Sequence, residues 1–113
     1  MEQDCKFVKD CISLEQGQIL EMEILTWDEL FNLMYPIKNT EELKRCYGGI
    51  WFRFEITAVC CHQISDINQG DEVRIWMVSR FGDIGVTKNL VDPKGYDIRV
   101  DIENFKNFKI KRI

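Results

Sequence analysis

Apolar side chains occur at every second position from Ile50 to Cys61, and this alternation is the strongest constraint on the fold. A β-strand points successive side chains to opposite faces of a sheet, so a period of two predicts a strand with one buried face. The buried face would carry the even-numbered residues Ile50, Phe52, Phe54, Ile56, Ala58 and Cys60. One strand cannot cover this face by itself, so the chain must supply further elements to bury it.

The segment that follows predicts a second strand with one apolar face. Val73, Ile75 and Met77 would face inward. The residues predicted to face outward are Glu72, Arg74, Trp76, Val78 and Arg80. A loop rich in turn-forming residues separates this strand from the first, which favours antiparallel pairing of the two.

Two further turn signals divide the C-terminal part of the chain. Gly82-Asp83 predicts a hairpin turn, and Asp92-Pro93-Lys94-Gly95 has the composition of a tight turn. We therefore predict three more strands, over residues 84–90, 96–102 and near 105–112. All of these strands are short, and the turns between them favour an antiparallel sheet.

The N-terminal half begins with two weaker strand signals. Residues 5–12 alternate weakly, and residues 17–25 alternate better, with Leu20, Met22 and Ile24 on one side. Both segments are predicted to be strands.

A helix is predicted after these strands because Thr26 and Glu29 have the spacing of a capping box. Its apolar positions Trp27, Leu30, Phe31 and Met34 follow helical spacing, and Pro36 would end it near residue 35. Thr40 repeats the capping residue, so residues 41–46 are predicted to form a second short helix before Gly48-Gly49.

These elements predict a single α+β domain over residues 1–113. We expect a small curled antiparallel sheet or partly open β-barrel, of the SH3 or OB kind, with two short helices in the N-terminal half. A chain of 113 residues has the usual length of one domain. The start of the chain is acidic and charges interrupt every apolar run, so we expect a cytoplasmic protein without a membrane span.

The charge distribution favours some partners over others. Residues 1–49 contain ten acidic and five basic residues, whereas residues 50–113 contain nine acidic and ten basic residues. The net charge of −4 argues against direct nucleic-acid binding, because that function requires a broad positive surface. An acidic half is compatible with docking on a basic protein.

Cysteine and histidine residues raise two chemical hypotheses. The chain has five cysteines, and in a cytoplasmic protein we expect free thiols. Cys60 and His62 would share one face of a strand, but a structural zinc site needs more ligands and no C-x₂-C pair is present. The other hypothesis is a thiol enzyme in which His62 activates Cys60, with Asp66 as the nearest orienting acid. A buried cysteine beside a surface histidine explains the tripeptide Cys60-Cys61-His62 more simply. We therefore predict no metal, no cofactor and no catalytic residues.

The most informative candidate surface combines aromatic and basic side chains. It lies on the predicted outward faces of the first two strands of the C-terminal half. Its residues are Trp51, Arg53, Arg74, Trp76 and Arg80. The two helices of this chain could cover the surface, in which case the tryptophans are core residues. If it is open, tryptophan and arginine are the residues most enriched in protein-binding hot spots. Stacking on nucleic-acid bases, or holding a small anionic ligand, are further alternatives.

We therefore expect a non-enzymatic interaction domain that docks on a macromolecular partner and masks it, as a regulator or inhibitor. The single alanine, with abundant Ile, Lys, Asn and Asp, is typical of AT-rich genomes such as those of some bacterial mobile elements and phages. The alternative is a binder of a small anionic or nucleotide-like ligand through the Trp/Arg face, which could act as a homodimer.

Overall fold

The computed structural model describes residues 6–34, 54–90 and 98–113, and within them it has two α-helices and six strands. In chain order the elements are α1 (Lys6–Ile12), β1 (Ile19–Met22), α2 (Trp27–Met34), β2 (Phe54–Cys60), β3 (Glu72–Val78), β4 (Asp83–Thr87), β5 (Ile98–Asp101), a 3₁₀ turn (Ile102–Asn104) and β6 (Phe105–Arg112). All described strand pairs are antiparallel, in the order β1-β6-β2-β3-β4-β5. Among the described strands the sheet is not closed and β1 and β5 end the order, so the predicted α+β class with a small curled antiparallel sheet is confirmed.

The prediction of a strand over residues 5–12 is wrong, because Lys6–Ile12 forms helix α1. Its buried residues Phe7, Val8 and Cys11 lie on one helical face, at the spacing i, i+1 and i+4. An ion pair of 2.8 Å between Lys6 and Asp10 adds a contact one turn apart. A short apolar run is compatible with the period of a strand and with that of a helix. Here the contact of α1 with α2 favours the helix over the strand.

Helix α2 begins where the capping box predicts. The amide of Glu29 donates to Thr26 Oγ1 at 3.2 Å, and the amide of Thr26 donates to Glu29 Oε1 at 3.1 Å. Leu30 and Leu33 are fully buried, while Trp27 and Phe31 are half-buried and stack with their ring centroids 4.8 Å apart. The second predicted helix, over residues 41–46, lies outside the described residues.

The core lies between the helices and the face of the sheet that the alternation predicts. Phe54, Ile56, Ala58 and Cys60 of β2 are buried, as expected from their even numbering. They form one cluster with the apolar faces of both helices and of the neighbouring strands, including Phe7, Cys11, Leu30, Leu33, Val73, Ile75, Phe108 and Ile110. Ile50 and Phe52 lie outside the described residues.

A bulge in β3 changes which side chains face this core. Ile75 pairs with Val86, whereas Met77 pairs with Gly85, so Trp76 is an extra residue between the two pairs. An extra residue reverses the alternation beyond it. Val78 is therefore buried and Met77 is half-buried, which corrects the prediction that Met77 faces inward and Val78 outward.

The remaining strands overlap the segments predicted for them. Strands β1 and β4 contain fewer residues than predicted. Strand β6 spans Phe105–Arg112, as predicted. Asn107, which has a positive φ of 54°, lies between the buried residues Phe105 and Phe108. Strand β1 ends at Met22, so Ile24 does not join the inner face of the sheet and is 70% exposed.

Within the described residues, no helix has the length and apolar composition needed to cross a lipid bilayer.

Candidate functional site

The structure places three of the five predicted site residues, namely Arg74, Trp76 and Arg80. Arg74 and Trp76 lie on β3, and Arg80 is an exposed residue of the turn that follows this strand. Trp51 and Arg53 lie outside the described residues. The surface built from all five residues remains a prediction.

Arg74 points away from the core and contacts the segment that follows β4. It lies opposite Thr57 of β2 and Thr87 of β4. Its Nη1 donates a hydrogen bond of 3.3 Å to the carbonyl oxygen of Leu90. Arg74 is half-buried, and its guanidinium therefore helps to hold residues 87–90 against the sheet.

Trp76 is the bulged residue of β3. Its side chain is half-buried, and it belongs neither to the buried core nor to the half-buried apolar side chains that pack on that core. Bulges re-aim a side chain relative to the regular pleat. Trp76 thus lies apart from the interior that α1 and α2 cover.

The turn between β3 and β4 is held by several hydrogen bonds that converge on Ser79. The amide of Ser79 donates to the carbonyl of Asp83 at 3.0 Å, and its hydroxyl donates to the Asp83 carboxylate. The amide of Phe81 donates to Ser79 Oγ at 3.0 Å, and the indole Nε1 of Trp27 donates to the Ser79 carbonyl at 2.9 Å. Arg99 of β5 forms an ion pair with Asp83 at 3.0 Å. The turn is therefore connected to both α2 and β5.

This network also affects the charge of Asp83. The hydrogen bond from Ser79 and then the contact with Arg99 hold the pKa of Asp83 below its ordinary value. A carboxylate that accepts from both groups stays ionised through the neutral pH range. The turn therefore keeps its ion pair and hydrogen bonds under ordinary conditions.

We call residues 79–82 the hairpin tip. Phe81 is the large apolar residue of this tip. The Phe81 ring is 88% exposed and follows the exposed Arg80. Gly82 closes the turn with a φ of 93°, a conformation that glycine adopts without a steric cost. Sequence reasoning selected Arg80 but missed Phe81. The signal that could have revealed it is the position of Phe81 immediately before the turn glycine, where no strand face can bury its ring.

A groove of about 660 Å³ lies beside the hairpin tip, and we call it the edge groove. Its floor contains the buried residues Leu25, Ile102 and Phe105. Trp27 and Gly82 also line it, so it is bounded by the start of α2 and by the hairpin tip. The sequence did not predict this groove, because its lining comes from four separate stretches of the chain.

Cys60 and His62, the pair considered for thiol chemistry, do not contact each other through their side chains in the hydrogen bonds of the described residues. Cys60 is buried, and its thiol donates to the main-chain carbonyl of His62 at 2.8 Å, whereas the His62 side chain is exposed. Strand β2 ends at Cys60, so the prediction that Cys60 and His62 share a strand face is wrong. Cys60 and Cys61 are free thiols, and Cys11 is buried. Across the described ranges, no group of three or more His, Cys, Asp or Glu residues is placed to hold a metal ion.

Comparisons with family models, with curated proteins and with solved structures each give no match. Any function must therefore be inferred from the surfaces that the chain itself presents. Two of these are adjacent, namely the hairpin tip with Phe81 and the edge groove that Gly82 lines.

Proposed function

We propose that this protein is a non-enzymatic interaction domain that docks on a protein partner and masks the partner's surface, as a regulator or inhibitor. The observation that supports this proposal is the 88% exposure of the Phe81 ring on a turn fixed by hydrogen bonds. Arg80 is exposed beside it, and Trp76 lies on the strand that leads into the turn. These three residues would form the centre of the contact.

Burial of the Phe81 ring by a partner would contribute favourably to the free energy of association. Burying a phenylalanine side chain contributes roughly 1.5–3 kcal/mol, and aromatic and arginine residues are those most often found in hot spots. A contact residue on an ordered turn loses little conformational freedom when it binds. Phe81 contributes little to the stability of the domain itself because it is almost fully exposed.

The charges of the sheet favour a protein partner over nucleic acid. The exposed lysines of β6 face glutamates across the sheet, since Lys109 lies opposite Glu21 and Lys111 lies opposite Glu55. A face with alternating charges lacks the continuous positive potential that attracts a phosphate backbone. For the small-ligand alternative, Arg74 would have to bind an anion while already donating to the Leu90 carbonyl.

The test is a quantitative pull-down from the cells that produce the protein, with the wild type and the variants Phe81→Ser and Ile12→Ser. Ile12 is 52% exposed at the end of α1 and serves as the matched control. We expect Phe81→Ser to reduce recovery of the partner at least tenfold at limiting bait, because about 1.5 kcal/mol of binding free energy is lost. Ile12→Ser should recover the same partner as the wild type.

Equal recovery of the same partners by Phe81→Ser and by a Trp76→Ala variant that melts at the wild-type temperature would refute the proposal. A thermal-shift screen of nucleotides and small organic anions on the pure protein tests the alternative. A rise in melting temperature with one of these compounds, in the absence of any captured protein, would favour the small-ligand function.

A further inference from the structure

We propose that the edge groove binds an extended segment of the protein partner in which an apolar side chain is adjacent to a lysine or arginine. This inference rests on the proposed docking function and specifies the chemistry of the partner. Three features of the groove support it, namely an apolar floor, two carboxylates on the rim, and continuity with the hairpin tip.

The groove combines a floor of nearly buried apolar side chains with a strongly exposed apolar side chain on its rim. Leu25, Ile102 and Phe105 form a floor whose residues belong to the core, so the depth of the groove is set by packed side chains. Ile24 lies on the rim and is 70% exposed, because β1 ends two residues before it. An apolar side chain from a partner would therefore find contacts on both the floor and the rim.

The rim also has uncompensated negative charge. Asp101 and Glu103 both line the groove and are exposed, and their carboxylates have no hydrogen bond or ion pair within the described part of the chain. Lys106 is the only cation among the described lining residues, so this described part of the lining has a net negative charge. A cationic side chain of the partner would complement it, and a small anion would not.

The strand register adds a reason to expect a cation near Asp101. Asp101 lies directly opposite Asp83 on adjacent strands, and like charges in such positions repel each other. Asp83 is compensated by Arg99 and Ser79, but Asp101 has no such partner among the residues described. A lysine or arginine from outside the chain would relieve this repulsion.

The groove is continuous with the hairpin tip, which relates it to the proposed function. Gly82 lines the groove and directly follows Phe81. A partner that covers the Phe81 ring can therefore extend a neighbouring segment into the groove. A short peptide is thus a sufficient probe of the groove, whatever the identity of the whole partner.

The experiment selects a displayed library of random nonapeptides on the wild-type protein and on the double variant Asp101→Lys/Glu103→Lys. The control is Glu21→Lys/Glu72→Lys, which makes the same change of charge at exposed positions outside the groove. We expect wild type and control to enrich peptides with lysine or arginine next to leucine, isoleucine or phenylalanine. The affinity of the best peptide, from fluorescence anisotropy, should fall at least tenfold on the groove variant and also when its basic residues are replaced by glutamine.

Selection of peptides without basic residues, equal affinity for the groove variant, or no enrichment over the library's starting composition would each overturn the inference. Ile24→Ser provides a second variant that changes the rim without changing charge, and it should weaken the same peptide. The outcome is distinguishable from failure of the proposed function: if the groove variants bind the peptide normally while Phe81→Ser still loses the protein partner, only the groove assignment is wrong.

Discussion

The indole Nε1 of Trp27 donates a hydrogen bond of 2.9 Å to the carbonyl oxygen of Ser79, joining the first residue of α2 to the turn between β3 and β4. The two residues are 52 positions apart, so the bond exists only in the folded chain. It fixes the hairpin tip relative to the helix and to the edge groove, which Trp27 also lines. The orientation of the proposed contact residues thus depends on a tertiary hydrogen bond.

We expect Trp27→Phe to lower the free energy of unfolding by about 1 kcal/mol, because the aromatic ring remains but the donor to Ser79 is lost. Hydrogen exchange at the amide of Phe81 should become faster, since the turn loses its connection to α2. Urea denaturation and amide exchange followed by NMR would measure both effects. Unchanged exchange at Phe81 would show that the turn is ordered without this bond.

We expect Ser79→Ala to raise the pKa of Asp83 toward its ordinary value and to cost about 1–2 kcal/mol of stability at neutral pH. The pKa of Asp83 is lower in the folded state, so its contribution to stability is present above the unfolded-state pKa of about 4. The contribution is lost as the pH falls through the folded-state pKa, and the difference between Ser79→Ala and wild type should therefore shrink in acid. NMR titration of the Asp83 carboxyl carbon, with unfolding curves at pH 7 and below pH 3, would check both statements. A difference in stability that is independent of pH would contradict this assignment.

We expect the bulge in β3 to be visible in a pair of alanine variants. Val78→Ala should destabilise the protein by about 2 kcal/mol because it removes buried methyl groups, whereas Met77→Ala should cost less than about 1 kcal/mol. Urea unfolding of the two variants would measure the difference. The reverse order would indicate a regular strand with Met77 inside.

We expect Thr26→Ala to cost about 1 kcal/mol, because the amide of Glu29 then loses its acceptor at the start of α2. Thr26→Ser keeps the hydroxyl and should change the free energy of unfolding by only a few tenths of a kcal/mol. Thermal or urea unfolding measures both variants. Equal losses for Ala and Ser would mean that the hydroxyl does not act as a cap.

We expect the thiols to react at different rates in the native protein. Cys11 and Cys60 are almost completely buried, so alkylation should require unfolding, whereas the half-buried Cys61 in the edge groove should react faster. Labelling with iodoacetamide at neutral pH and peptide mass spectrometry would rank the sites. Rapid alkylation of Cys60 would instead revive the hypothesis of a thiol enzyme.

The sequence by itself determined the elements that depend on neighbouring residues. The period of two in β2, the capping box of Thr26 and Glu29, and the turn at Gly82 all appear as predicted, because each is a local relationship between residues within a few positions. The same local signals led to the α+β class and to strand β6. Arg74 was also located correctly on β3, whereas Arg80, predicted on the outward face of the same strand, lies in the turn that follows it.

Tertiary structure alone decided the features that depend on distant partners. Residues 6–12 form a helix because the apolar face of this helix packs with α2 in the core. Trp76 forms a bulge because the pairing register of β3 with β4 shifts by one residue beyond Ile75. The last strand pairs with both β1 and β2, which no local pattern specifies. The edge groove follows from these long-range pairings, because register and strand order are set by contacts across the whole sheet.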